Sequence, residues 1–243
     1  MPQGILIPEA QPSPDLFTGV PSQWRASREK GDPSTALSKD SIHMAERDGT
    51  IYLVSENYSY KSEAYYSILE REIRGQRVAP DSSSILDAFV VPICLERAHS
   101  CGIPVADYAI SQSCIPVPAV IYGLNYFACT SHFEVLQENA QEREMIRHVT
   151  NNGKYPFCSQ RLDEGVRIER KTSIFGMVAS PGKGMADMAG RIWECFRIPL
   201  VEIVCLSGPD GLRLSSLCPV RYSHLPKVEK AILRACLSGQ EFL

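Results

Sequence analysis

Residues 58–66 combine four tyrosines with serine, lysine and glutamate side chains. They follow Ile51–Val54, a short apolar run that is typical of a β-strand. The N–H groups at the start of a following helix are free to meet an anion or a carboxylate of a partner. We therefore expect a surface for a ligand or partner, at least partly exposed, that consists of Tyr58, Ser59, Tyr60 and Lys61. Tyr65, on the helix that follows, is expected to be buried. The alternative is a structural role for the whole cluster, in which Tyr58 and Tyr60 cover the sheet edge.

A second candidate is the glycine-rich segment Ser180-Pro181-Gly182-Lys183-Gly184, which directly precedes a helical pattern. Glycine-rich backbone at a helix N-terminus can surround an anion, and the lysine adds positive charge. The spacing matches neither a phosphate-binding loop nor a dinucleotide-binding motif. A weak anion-binding site at Gly182, Lys183 and Gly184 is therefore one hypothesis, and a surface turn that ends in a helix cap is the other.

No residues have the spacing of a catalytic or metal-binding set. Cys94, His99 and Cys101 lie close together, but no second cluster completes four metal ligands. No nucleophile motif and no pair of carboxylates stands out. The sequence therefore predicts no catalytic residue and no metal site on this chain.

Composition excludes several classes of protein. The 243 residues carry 25 basic and 28 acidic side chains, a net charge of -3 that favours neither nucleic acid nor an anionic membrane as a partner. The longest apolar stretch is interrupted by prolines, so no membrane-spanning helix is expected. Nine scattered cysteines and no signal peptide pattern predict a cytoplasmic protein with mostly buried thiols.

The chain divides into a leader and a globular part. Residues 1–48 are rich in proline and serine without a sustained period, which predicts a flexible leader. From residue 49 onward, a strand at Ile51–Val54, a helix capped by Ser59 and a strand at Gln76–Ala79 predict a βαβ unit with parallel strands. Gly75 is expected to end the helix.

The remainder alternates helices and strands. Phe133–Val149 predicts a charged helix, and strands are expected near residues 166–169 and 174–178. The apolar spacing from Met185 to Phe196 predicts an amphipathic helix with Trp193 and Phe196 buried against a C-terminal hairpin. A closing helix begins near Pro226. The predicted class is α/β, with a Rossmann-like, βαβ-containing N-terminal part and a βαββα C-terminal part.

The segment Tyr58–Val78, preceded by Ile51–Val54, resembles the N-terminal domain of RimK-like ATP-grasp proteins. That family has a strand, a Tyr-x-Ser-x-Gly-Tyr-Tyr helix start and a Gly-His-Arg-Val exit. Here Ala64 stands in place of the glycine and Gln76 in place of the histidine. The C-terminal part is similar at Trp193–Phe196, Pro199–Ile203 and Cys218–Pro226. The resemblance extends over about residues 50–240, without a match for about residues 95–165.

The resemblance implies that residues 49–243 form a domain of this N-terminal type, in one piece or in two lobes of about 49–130 and 131–243. In the family this domain precedes an ATP-grasp module that binds ATP and magnesium and joins a carboxylate to an amine. The expected function is therefore a non-catalytic accessory or substrate-presenting domain. ATP and magnesium would enter only through a separately encoded ATP-grasp ligase. The alternative is an enzyme, or a nucleotide- or phosphate-binding protein, that acts alone.

Overall fold

The structure, a computed structural model, describes residues 37–125, 130 and 132–238. Ten strands and six α-helices lie in these residues, which confirms the α/β class. The strands are β1 (His43–Arg47), β2 (Thr50–Val54), β3 (Val78–Ala79), β4 (Ala109–Ser111), β5 (Ala119–Gly123), β6 (Glu134–Leu136), β7 (Phe157–Arg161), β8 (Arg167–Ile174), β9 (Leu200–Gly208) and β10 (Gly211–Cys218). The helices are α1 (Glu63–Ile73), α2 (Ser82–Ala88), α3 (Val91–Ser100), α4 (Glu142–Val149), α5 (Met185–Phe196) and α6 (Lys227–Leu237).

The first sheet has the strand order β1-β2-β3 and contains the predicted βαβ unit. Strand β2 precedes α1 in the chain and β3 follows it, and the two strands pair in parallel. Strand β1 pairs antiparallel with β2 through the turn at Asp48 and Gly49. The predicted leader therefore extends too far, because residues 43–47 already form a strand. Residues 1–36 of that leader lie outside the described residues.

Helix α1 begins later than the sequence predicts. Its N-cap is Ser62, whose hydroxyl accepts a hydrogen bond from the Tyr65 N–H at 3.2 Å. Ser59 instead donates to Asn57 Oδ1 in the preceding turn. Gly75 follows the helix with a φ of 71°, as expected for a residue that ends a helix in the left-handed conformation.

The middle of the chain forms a four-stranded sheet with the order β4-β7-β5-β6, in which all pairs are antiparallel. The helix predicted for residues 133–149 is wrong in its first half. Val135 and Leu136 pair with β5 as a strand, and only Glu142–Val149 is α-helical. A division of the chain at residue 130 would separate β5 from its partner β6. The Rossmann-like arrangement is not confirmed, because the named strands of the described residues pair in parallel only at the two residues of β3.

The C-terminal part has the predicted order β8-α5-β9-β10-α6. Its sheet has the order β10-β9-β8, and both pairs are antiparallel. Helix α5 buries Phe196 completely in the main core, together with hairpin residues such as Leu214 and Leu217. The apolar spacing places Trp193 in the same core, but Trp193 lies partly buried in a second cluster beside Tyr52 and Phe175.

The cysteines are mostly buried, as predicted, but two of them form a disulfide that the sequence does not predict. Five free thiols are buried in the described residues, and Cys114 is exposed. Cys101 and Cys195 form a disulfide, although they lie 94 residues apart in the sequence. Packing of α3 against α5 brings their Cα atoms to 6.2 Å, a proximity that spacing in the sequence does not reveal. None of the helices in the described part of the chain is long and apolar enough to cross a membrane.

Candidate functional site

Tyr58, the first residue of the predicted binding surface, is buried. Its exposed fraction is 1%, and its ring stacks on Phe89 with centroids 6.3 Å apart. The hydroxyl donates to the Leu53 carbonyl and accepts from the Ser55 N–H, both at 3.0 Å. Burial raises the pKa of Tyr58. The expectation that Tyr58 is partly exposed is therefore wrong, because two backbone groups at the end of β2 hold its hydroxyl inside the protein.

The other three residues of that surface are exposed on the turn before α1. The Lys61 ammonium lies 5.3 Å from the ring centroid of Tyr60, which is 49% exposed. Tyr65 is buried, as predicted, and its ring meets Tyr60 edge to face at 5.3 Å. Ser59, Tyr60 and Lys61 therefore remain a predicted surface without Tyr58.

The glycine-rich segment lies directly before α5, where the sequence places it. Gly182, Lys183 and Gly184 are all exposed. Gly184 is the N-cap of α5 with a φ of 79°, and no side chain caps this helix start. Among the described residues, Lys183 has no ion-pair partner within 4.0 Å. Anion binding by this segment stays a prediction.

A buried chain of hydrogen bonds joins the four-stranded sheet to β10. Ser215 Oγ donates to Gln160 Oε1 at 2.6 Å, so it accepts from the Tyr122 hydroxyl at 2.7 Å. The Tyr122 hydroxyl accepts in turn from Ser216 Oγ at 3.1 Å. Gln160 Nε2 donates to the Ser215 carbonyl at 2.8 Å. All four side chains are at most 1% exposed, and their polar atoms satisfy one another.

Strand geometry explains how two consecutive serines reach one tyrosine. Neighbouring residues of a regular strand point to opposite faces of the sheet. The register of β10 with β9 shifts between Leu214 and Ser216, which leaves Ser215 as an extra residue. A bulge of this kind redirects a side chain. Ser215 and Ser216 therefore both contact Tyr122.

An ion pair lies next to this chain of hydrogen bonds. Arg170 on β8 donates through Nε and Nη2 to Glu202 Oε2 on β9, at 3.1 and 2.6 Å. The Arg170 guanidinium also lies 5.6 Å from the ring centroid of Phe133, and Phe133 contacts Tyr122. The Cys218 thiol donates to the Thr130 carbonyl at 3.0 Å, and burial raises the pKa of Cys218 to about 12. Arg170 and Glu202 are thus paired with each other.

Sequence reasoning did not identify Tyr122, Gln160, Ser215 or Ser216. One signal was available for the serines, because they interrupt an otherwise apolar run from Leu214 to Leu217. Consecutive polar residues in a buried strand indicate a bulge or a polar partner. Nothing in the sequence points to Tyr122 or Gln160 as that partner, since they lie on other strands.

No protein-family profile matches the sequence, and no curated protein shows significant sequence similarity to it. Solved structures are similar in fold. A RimK domain ATP-grasp protein from Sphaerobacter thermophilus has a TM-score of 0.55 and 12% identity, over 75% of this chain and 77% of that chain. D-alanine–D-alanine ligase from Helicobacter pylori has a TM-score of 0.53 and 12% identity, over 70% and 64%. The ATP-grasp ligase PsnB has a TM-score of 0.50 and 12% identity, over 84% and 87%. The chain therefore has an α/β fold that resembles that of ATP-grasp ligases.

Proposed function

We propose that this protein is a non-catalytic module on an ATP-grasp-like fold, which serves as an accessory or substrate-presenting partner. The observation that supports this proposal is the buried hydrogen-bond chain between the sheets. Tyr122, Gln160, Ser215 and Ser216 use their polar groups on each other. A ligand that entered here would have to break these bonds and leave buried donors and acceptors unpaired, at a cost of about 1–3 kcal/mol for each group.

ATP and magnesium, which the fold class suggests, do not fit the side chains described between the sheets. Magnesium is bound through carboxylate oxygens and phosphates, and transferring phosphates are held by lysine or arginine. The described groups of the hydrogen-bond chain are neutral. Nearby, Arg170 and Glu202 form hydrogen bonds to each other rather than present a free cation and a free carboxylate. We therefore derive no nucleotide-dependent step.

An ATP-dependent ligase is the second candidate, and the extent of the fold likeness favours it. The resemblance to the N-terminal domain alone is not confirmed, because the likeness extends over 77% of the RimK domain protein and 87% of PsnB. The PsnB structure contains a minimal precursor, Mg and ADP. In this view residues 49–243 correspond to more than an accessory part of such an enzyme.

The partner that the proposal requires is a separately encoded ATP-grasp ligase. A contact surface for it is available on the turn before α1 and on α1 itself. Ser59, Tyr60 and Lys61 are exposed there, and the neighbouring Tyr66 is 57% exposed. Tyrosine side chains supply large contact areas at protein interfaces, with an apolar ring and a polar hydroxyl.

Calorimetric titration with magnesium and a non-hydrolysable ATP analogue separates the two candidates. A non-catalytic module is expected to show no micromolar nucleotide binding that depends on Arg170. Weaker binding that Arg170→Gln leaves unchanged does not count toward the ligase. Micromolar binding that is weakened by Arg170→Gln, but not by the exposed control Arg221→Gln, would support the ligase instead.

The accessory role has its own test. Co-expression with candidate ATP-grasp ligases, followed by size-exclusion chromatography, should yield a complex. A Tyr60→Ala, Lys61→Glu double variant should weaken that complex at least tenfold without loss of thermal stability. If every candidate ligase elutes separately from the unaltered protein, the accessory role is wrong.

A further inference from the structure

An open surface cavity of about 500 Å³ lies away from the buried hydrogen-bond chain, beside the edge strand β3. Strands β2 and β3, the C-terminal end of α1 and the residue after α5 surround it. Its polar lining residues are Thr50, Glu72, Gln76, Arg77, Asp81 and Arg197. The volume is in the range of small-molecule sites. None of its lining residues belongs to the predicted surfaces or to the hydrogen-bond chain.

The two carboxylates of the cavity already have hydrogen-bond donors. Glu72 Oε1 accepts from the Ser82 N–H at 2.8 Å. Asp81 Oδ1 accepts from the Ser84 N–H at 2.7 Å, and Oδ2 accepts from the Ser84 hydroxyl at 2.7 Å. These hydrogen bonds lower the pKa of Asp81 against the opposing effect of burial. Both carboxylates therefore serve the loop between β3 and α2.

The two guanidinium groups of the cavity are not used in this way. Within the described residues, neither Arg77 nor Arg197 forms an ion pair within 4.0 Å. Their backbones are nevertheless fixed. The Arg77 carbonyl accepts from the Ile51 N–H at 2.8 Å, and the Arg197 N–H donates to the Trp193 carbonyl at 2.9 Å. The two arginines of the cavity thus offer cationic donors on anchored backbone, and they equal in number the two carboxylates, whose hydrogen bonds go to the first turn of α2.

The conformation of Arg197 is a separate observation. It ends α5 in the left-handed region with a φ of 54°, where glycine is the favoured residue. A non-glycine residue keeps such a conformation only where the surrounding contacts fix it. The Arg197 guanidinium lies 5.5 Å from the ring centroid of Trp193, and Trp193 stacks on the cavity residue Tyr52. These contacts hold the guanidinium at the cavity.

We propose that this cavity binds a small anionic molecule through Arg77 and Arg197. Arginine pairs well with carboxylate and phosphate oxygens, because its planar group offers parallel N–H donors. The Thr50 hydroxyl and the Gln76 amide add neutral hydrogen-bonding groups. A carboxylate and a phosphate monoester share the required chemistry. The inference does not depend on the proposed function, because the cavity shares no residue with the hydrogen-bond chain.

Trp193 provides a direct test. The chain has two tryptophans, and in a Trp24→Phe background the fluorescence comes from Trp193 beside Arg197. Citrate, glucose 6-phosphate and inorganic pyrophosphate serve as probes, each against sodium chloride of equal ionic strength. We expect a saturable fluorescence change with a submillimolar Kd for at least one probe. Binding of citrate alone identifies a carboxylate ligand, and binding of a phosphate probe alone identifies a phosphate ligand.

Variants test whether the binding takes place in the cavity. Calorimetry is the measurement here, because a change of Arg197 itself affects the fluorescence of Trp193. Arg77→Gln and Arg197→Gly should each weaken binding at least tenfold. Arg197→Gly should also keep or raise the Tm, since glycine favours the backbone conformation at this position. Arg221→Gln, an exposed arginine outside the cavity, should bind within twofold of the unaltered protein. The proposal is overturned if no probe saturates, or if both cavity variants bind as tightly as the control.

Discussion

Tyr58 belongs to the core rather than to the predicted surface because its hydroxyl has hydrogen-bond partners inside the protein. Its neighbours in sequence are exposed, and the local pattern of tyrosine, serine and lysine indicates a surface. The deciding partners are the Leu53 carbonyl and the Ser55 N–H, which the end of β2 leaves available for a side chain. The turn before α1 is therefore held from inside by Tyr58, while Tyr60 and Lys61 remain outside.

We expect Tyr58→Phe to lower the free energy of unfolding by about 1–3 kcal/mol, because it leaves two buried backbone groups without a partner. Urea denaturation followed by circular dichroism measures this change. Tyr66→Phe is the matched control, since Tyr66 is 57% exposed and its loss of a hydroxyl should change stability by less than about 0.5 kcal/mol. Equal effects of the two substitutions would contradict the structural role of Tyr58.

At the scale of elements, the turn after β8 depends on close contact with α5. Gly176 has a φ of 80° and lies between Ile174 and Met177, which are bridged to each other. A Cβ atom at this position would lie 2.8 Å from Trp193 Cβ and 2.9 Å from Trp193 Cγ. Both the backbone conformation and the space therefore require glycine here.

Gly176→Ala is expected to cost about 1–3 kcal/mol from the steric clash, in addition to the strain of a positive φ. Gly153→Ala separates the two effects. Gly153 has a φ of 81° with nothing within 4 Å of the added Cβ, so only the strain of about 1 kcal/mol remains. Thermal denaturation of both variants measures the difference, and similar losses would mean that α5 lies farther from the turn.

Elements specified by local sequence were predicted well, and those that depend on distant partners were not. The apolar spacing of α5 and the β9–β10 hairpin need only neighbours in sequence. Residues 134–136 have a helix-compatible composition, but pairing with β5 makes them a strand. The cavity arginines, Arg77 and Arg197, are 120 positions apart, and no local pattern connects them.

At the scale of the whole molecule, burial of ionisable side chains makes stability depend on pH. The thiols of Cys158, Cys205, Cys218 and Cys236 have pKa values raised to about 12 by burial, from a usual value of 9.0. Between these values the unfolded chain releases thiol protons that the folded chain keeps. The unfolded state then binds fewer protons, so stability falls as the pH rises.

Urea denaturation at pH 7.5, 9 and 10 should show this loss. Each buried thiol contributes a slope of up to about 1.4 kcal/mol per pH unit above pH 9. Cys205→Ala should make the dependence shallower, whereas Cys114→Ser should leave it unchanged because Cys114 is exposed. An identical slope in the two variants would show that Cys205 does not contribute.

The disulfide between Cys101 and Cys195 links two parts of the molecule that the chain itself leaves far apart. Cys195 lies two residues before Arg197, so the bond holds the end of α5 from which the cavity arginine extends. Reduction should loosen this end and weaken anion binding, and Cys101→Ser should have the same effect. Calorimetry with and without reductant measures the change in anion affinity, and Cys114→Ser serves as the control. Equal affinities of the oxidised and reduced protein would rule out this linkage.

Because linked equilibria are reciprocal, an effect of the disulfide on anion binding implies an effect of the anion on the disulfide. If oxidation of the two thiols tightens anion binding by some factor, the bound anion must favour oxidation by the same factor. The concentration of the anion and the redox potential of the surroundings would therefore act on one equilibrium. The fraction of oxidised protein would then depend on both the anion concentration and the redox potential. Neither quantity could be inferred from that fraction without knowledge of the other.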